Sequence, residues 1–226
     1  MRRHDLATIR PGAPVQIQCN EMAQDAEAIV QDWISGGLPL VIARQSRGQN
    51  GGTDQIAMGL TLPPNEASRR IGCLLHADDI LQVCPPTPLL ACIPSLPLNL
   101  VIPLLALAED LQAIGIEALV YGSLAWQAIS GVDYLHAGSD IDLLCEVDTP
   151  GQLHELIAIL EKHSSTLDHR LDGEIRFPDG SAVAWLELAN ALGNPAAELL
   201  IKENADVRMV RVSDLDDFFR GKTDAR

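Results

Sequence analysis

Short apolar runs dominate the first part of the chain. "APVQIQC" and "LPLVIAR" have the spacing of strands, and "NEMAQDAEAIVQDWISGG" places its apolar residues on one helical face, with Asn20 as cap and Gly36–Gly37 as stop. "RRIGCLLHADDILQV" reads as a strand, a turn and a second short element, and "RQSRGQNGGTDQIAMGLTLP" as a glycine-rich loop running into a strand. Between Cys84 and Pro103 lie six of the fourteen prolines. Proline removes a backbone donor and drives its predecessor out of the helical region, so this stretch predicts an extended connector. A boundary near residue 95 follows, separating a small α+β module, 1–95, from a second domain, 96–226.

Beyond the boundary, "PLLALAEDLQAIG" predicts a helix opened by Pro103 and closed at Gly115. "IEALVYG" predicts a buried strand, "SLAWQAIS" a helix, "DIDLLCEV" a strand and 152–163 a helix. "RLDGEIRF", "PDGS" and "AVAWLEL" form a predicted hairpin. The tail offers a short helix around Ala196–Ile201, a strand "DVRMVRV" and a last helix "SDLDDFF" capped by Ser213. Strands and helices in mixed order place the chain in the α+β class.

At 226 residues the chain can bury one large core or two small ones. The polar opening "MRRHDLATIRPGAP" offers no secretory signal, and no apolar run reaches the roughly 18 residues of a membrane span. A cytoplasmic protein is the expectation. The five cysteines are odd in number and lack CxxC pairs, which predicts neither a disulfide framework nor a zinc site. A net charge of −15 argues against a broad nucleic-acid surface. The charge is uneven: residues 1–95 carry seven Arg, no Lys and nine acids, whereas 96–226 carry nine basic residues against 22 acids.

The chemistry concentrates in "YGSLAWQAISGVDYLHAGSDIDLLCEV". On a strand, Asp140 and Asp142 face the same side about 6–7 Å apart. Like charges held that close call for a cation, and Mg²⁺, which favours carboxylate oxygens and completes its shell with water and phosphate, is the natural one. Gly122–Ser123, at a strand-to-helix turn, supplies the complement: close backbone approach and free N–H groups for an anion. Either half alone reads as solvated aspartates or an ordinary cap serine. Together they predict a metal and triphosphate site.

Gly122, Ser123, Asp140 and Asp142 resemble the signature of polymerase-β-type nucleotidyltransferases. That resemblance implies a mixed sheet flanked by helices, one or two Mg²⁺ ions on the paired aspartates, and a third acid from a neighbouring strand. Glu174 and Glu187, on the two halves of the predicted hairpin, are the candidates, with Glu187 preferred. Within that superfamily "RRHDL", the long central block and "DGEIRFPDGSAVAWLEL" resemble the phosphoribosyl-dephospho-CoA transferases, the holo-acyl-carrier-protein synthases of malonate decarboxylase. The resemblance implies transfer of a prosthetic group from triphosphoribosyl-dephospho-CoA to a serine of the acyl carrier protein subunit, releasing pyrophosphate. A nucleotidyltransferase with a small-molecule or protein acceptor, and a silent binding module of the same fold, are the alternatives. Around this core, Arg44, Arg47, Arg69 and Arg70 are candidates for the donor's phosphates or an acidic carrier surface, because the guanidinium fork matches both. Tyr134 is a candidate stacking or hydroxyl group, and His4 a candidate substrate contact.

Overall fold

The proline-rich stretch is not strung between domains. In the computed structural model, which describes residues 1–18, 23–45, 54–64 and 70–222, the chain divides into two compact units. One comprises Met1–Pro86 with Val132–Tyr134 and Asn204–Asp206; the other comprises Thr87–Gly131, Leu135–Glu203 and Val207–Arg226. The division falls at Pro86/Thr87, ahead of the expected boundary near 95, because the residues between are regular structure of the second unit. Both units combine helices and sheet, an α+β fold.

The first unit is a six-stranded sheet built from β1 (Leu6–Ile9), β2 (Gln16–Ile17), β3 (Leu40–Ile42), β4 (Gln55–Thr61), β5 (Arg70–His76) and β6 (Ile80–Cys84), in the order β2-β5-β4-β3-β1-β6. All its pairs are antiparallel. β1 lies inside the opening run read as polar: Ala7 and Ile9 alternate into the core, so two apolar side chains suffice for a strand flanked on both sides. Helix α1 (Ala23–Ser35) buries Ala26, Val30 and Ile34 at helical spacing and stops where Gly37, at φ +76, donates to the Ile34 carbonyl. Asn20, Cys19, Arg47 and Arg69 lie outside the described residues.

The second unit opens with β7 (Thr87–Pro88) and a short helix α2 (Leu89–Cys92), followed by α3 (Leu98–Ala113). Pro103 lies inside α3 rather than at its start. Leu100, Leu104, Leu107 and Leu111 are buried along one stripe, each contributing about 1.5–3 kcal/mol, which outweighs the ~3 kcal/mol of an interior proline. Gly115, at φ +77, closes the helix.

Then come β8 (Leu119–Tyr121), α4 (Gly122–Ser130), β9 (Ile141–Glu146), α5 (Pro150–Ser164), β10 (Leu171–Arg176), β11 (Ala182–Ala184), α6 (Trp185–Ala191), β12 (Glu198–Lys202) and β13 (Val207–Arg211). The seven strands are ordered β13-β12-β11-β10-β9-β8-β7. β9 and β10 are parallel, which requires a crossover, and α5 provides it, capped by Thr149 and packed against α3. The other pairs are antiparallel.

Three expectations about the last third are corrected. "AVAWLEL" is only half a strand: Trp185 and Leu188 are buried three residues apart, a helical spacing, and α6 begins at Trp185. Ala196–Ile201 is not a helix, since Leu199 and Ile201 alternate inward on β12. The final segment, Val212–Lys222, is a 3-10 helix in which the Ser213 hydroxyl donates to Asp214 instead of capping. Among the described residues no helix is long and apolar enough to cross a membrane.

Candidate active site

β8 runs into α4 without a loop: Tyr121 ends the strand and Gly122 starts the helix. Gly122 has φ +69, and a Cβ there would stand 2.1 Å from Asp142 Oδ2. Only a glycine lets that carboxylate reach the turn. Sheet register explains the meeting, since Tyr121 pairs with Asp142 on the antiparallel side and Asp172 pairs with Asp142 on the parallel side. Residues in register project to the same face, so Asp142 and Asp172 share it. Ser123 is the second residue of α4, half-buried beside this turn.

Arg170 stands one residue ahead of β10, where its carbonyl accepts from Ile141 N at 2.9 Å. Its Nε donates to Asp140 Oδ1 at 2.9 Å and its Nη2 to Asp140 Oδ2 at 2.5 Å, while Nη2 also lies 2.7 Å from Asp172 Oδ2. The hydrogen bonds from Arg170, with its positive charge, hold the Asp140 carboxyl below the usual carboxylate range despite some desolvation. Reciprocally, the bond to Asp140 and the charges of Asp172, Asp140 and Asp142 push the guanidinium further up. Asp140, Asp142, Asp172 and Arg170 form one electrostatic cluster at the edge of α4.

Two further residues position it. Ser139 is buried, its Oγ accepting from His136 N at 3.0 Å and its N donating to His136 O at 2.8 Å, so "HAGS" is a tight turn delivering Asp140. Gln127, buried on α4, donates to Ser95 O at 2.5 Å and accepts from Leu135 N at 2.9 Å. It ties the helix to the segment ahead of the aspartates. Neither side chain carried a signal in the sequence beyond a polar residue in an apolar context.

The two expected third acids are engaged by other partners. Glu187 is on α6, where Oε1 accepts from Leu200 N at 2.7 Å and pins the middle of β12. Glu174 is on β10 and shares the face of Asp172, but it is 5% exposed, pairs in register with Leu144 and takes Lys202 Nζ at 2.7 Å. Asp172, two residues earlier, is the carboxylate in register with Asp142. Strand spacing gives Asp172 and Glu174 a common face; it does not give the slide of β10 against β9.

Tyr134 is buried in a segment of the first unit, with its hydroxyl donating to Thr61 O at 3.0 Å. His4 has φ +74, with its N–H on Ile42 O at 3.0 Å, and Arg44 and Arg70 are exposed; all three belong to the first unit.

Among the described residues, no three His, Cys, Asp or Glu side chains are already closed around a metal position. The donor set nevertheless suits magnesium, which takes one or two carboxylates and completes its shell with water and substrate phosphates. A cavity of about 400 Å³ lined by Arg208, Arg211, Asp214 and Phe218 lies along β13 and shares no residue with this cluster.

Two family models match the sequence: "Phosphoribosyl-dephospho-CoA transferase MdcG N-terminal domain" over residues 2–86 and "Phosphoribosyl-dephospho-CoA transferase MdcG C-terminal domain" over residues 88–213. The chain is similar to the phosphoribosyl-dephospho-CoA transferase of Xanthomonas campestris pv. campestris, at 35% identity over 208 residues, 92% of this chain and 93% of that protein. The corresponding protein of Xanthomonas axonopodis pv. citri is 36% identical over 208 residues, with 92% and 93% covered. That of Bradyrhizobium diazoefficiens is 29% identical over 221 residues, with 98% and 93% covered. No solved structure matches significantly.

Proposed function

The chain belongs to the phosphoribosyl-dephospho-CoA transferase family and is a transferase, and we propose that its acceptor is a serine of the malonate decarboxylase acyl carrier protein. The donor in this reading is triphosphoribosyl-dephospho-CoA and the leaving group pyrophosphate. The observation that carries it is the approach of Asp142 to Gly122, which sets an acidic cluster against the turn that opens α4.

Asp140 and Asp142 would hold Mg²⁺, with Asp172 as the third carboxylate in place of Glu174 or Glu187. Bound there, Mg²⁺ would neutralise the triphosphate and the departing pyrophosphate. Ser123 and the first N–H groups of α4 would hold the outer phosphate oxygens, orienting the α-phosphorus toward the acceptor. The serine oxygen would then bond to the α-phosphorus as the bond to pyrophosphate breaks, and the hydroxyl proton would pass to a carboxylate, Asp172 in this reading. One phosphodiester forms and one phosphoanhydride is lost, so no covalent enzyme intermediate is needed.

Intact mass spectrometry of the purified carrier subunit, after incubation with enzyme, Mg²⁺ and donor, tests this directly. The expected result is a carrier heavier by one phosphoribosyl-dephospho-CoA group, with none added by Asp142→Asn. Label passing instead from ATP or CTP to a small molecule or to the protein itself would sink the assignment.

A further inference from the structure

Arg170 has no assigned part in the chemistry above, yet it is the cation that the acidic cluster already holds. We propose that Arg170 is an exchangeable counter-ion, which keeps Asp140 and Asp172 together in the unloaded protein and yields Asp140 to the divalent cation on loading. The inference rests on the metal reading of this site.

The geometry separates this group from the two ion pairs made by residues of β10 itself. The Arg170 side chain is 60% exposed, against 33% for Asp140 and 28% for Asp172. By contrast Lys202–Glu174 and Arg176–Glu146 each bury one partner to 5% or less. Breaking a buried pair strands a charge away from water, whereas partners at a wet rim can be exchanged for water or for another ion. Arg170 also lies outside the strand proper, and only its carbonyl joins the ladder, through Ile141 N. Its side chain can therefore rotate away without opening the sheet.

The need for such a group follows from charge. Three carboxylates share this corner, two of them in register on neighbouring strands, and without a cation they repel. A bidentate guanidinium spreads its donors over two of them and holds them in place. The same contacts occupy Asp140 oxygens, which fits the absence, among the described residues, of three acids closed around one point. A permanent clamp would make the same contacts, but it would not compete with a metal.

Competition is measurable without turnover. Isothermal titration of MnCl₂ into the full chain, with no donor or carrier present, compares wild type with Arg170→Met and Arg170→Lys. Removing the competing cation is expected to tighten Mn²⁺ binding about tenfold in Arg170→Met. Arg170→Lys, which keeps a point charge without the fork, should fall between the two. The metal-free melting temperature should drop in Arg170→Met and recover on adding Mn²⁺. If Arg170→Met is folded by circular dichroism and binds Mn²⁺ no more tightly than wild type, the exchange is overturned while the metal site stands. If Mn²⁺ binds neither protein, both fall. Should Arg170→Met fail to fold, Arg170→Lys decides alone: affinity equal to wild type's counts against exchange.

Discussion

The Asp142 carboxylate occupies the space that a side chain at Gly122 would need, with Oδ2 2.1 Å from the Cβ position. Gly122→Ala therefore meets two obstacles, a backbone at φ +69 and the Asp142 carboxylate in the way. The carboxylate is the mobile partner, so it will swing aside. We expect Gly122→Ala to lose about 100-fold or more in transfer rate, with a stability loss of about 1–2 kcal/mol. Gly131→Ala is the control. It ends α4 at φ +72 with nothing within 4 Å, so it should lose about 1 kcal/mol and keep its activity. Paired measurements of rate and thermal midpoint separate the two.

The acids should divide by role. Asp140→Asn, Asp142→Asn and Asp172→Asn are each expected to cut transfer by about 100-fold or more while the protein stays folded. Glu174→Gln leaves Lys202 without its charged partner and should destabilise by about 3 kcal/mol. Glu187→Gln weakens one hydrogen bond to Leu200 N, about 1 kcal/mol, with transfer retained. Full activity in Asp172→Asn with loss in Glu187→Gln would reverse the assignment.

Acid stability offers a check on a second carboxylate. Hydrogen bonds from Lys162 and His163 hold the Asp110 carboxyl below its ordinary value. A carboxyl whose folded pKa is depressed contributes stability that is present above the unfolded value, about 3.9, and is lost as pH falls through the lower folded one. Urea midpoints should show wild type more stable than Asp110→Asn at neutral pH. The gap should close below about pH 4.

Thiol reactivity should follow burial. Burial pushes the Cys73 and Cys145 thiols up to about 12 and that of Cys92 to about 11. At pH 8 these three are expected to resist iodoacetamide until the protein unfolds, while the half-buried Cys84 reacts first among the described cysteines. Peptide mapping after timed alkylation reads the order.

Much of the second unit was legible because its signals are local. Gly122 at a strand-to-helix turn, Asp140 and Asp142 at strand spacing and Gly115 behind a helix each announce themselves within a few residues. What escaped depends on partners distant in sequence. β1 is a strand because β3 and β6 flank it, and Pro103 sits inside a helix because four leucines bury themselves around it. Asp172 meets Asp142 only through the slide of one parallel strand on another, and Arg170 joins them for the same reason. "AVAWLEL" alternates well enough for a strand until Trp185 and Leu188 find a core at helical spacing.

The parallel pairing of β9 with β10 has a temporal consequence. Asp142 and Asp172 are separated by the whole of α5, so closing that loop must precede their meeting, and long-range parallel pairing is among the slower events of folding. A nascent chain that has formed β8, α4 and β9 already owns the glycine turn and two of the acids, but not the third acid or Arg170. The corner thus assembles late and all at once, with the strand that begins at Leu171, and a half-made molecule carries its acids without the group that balances them.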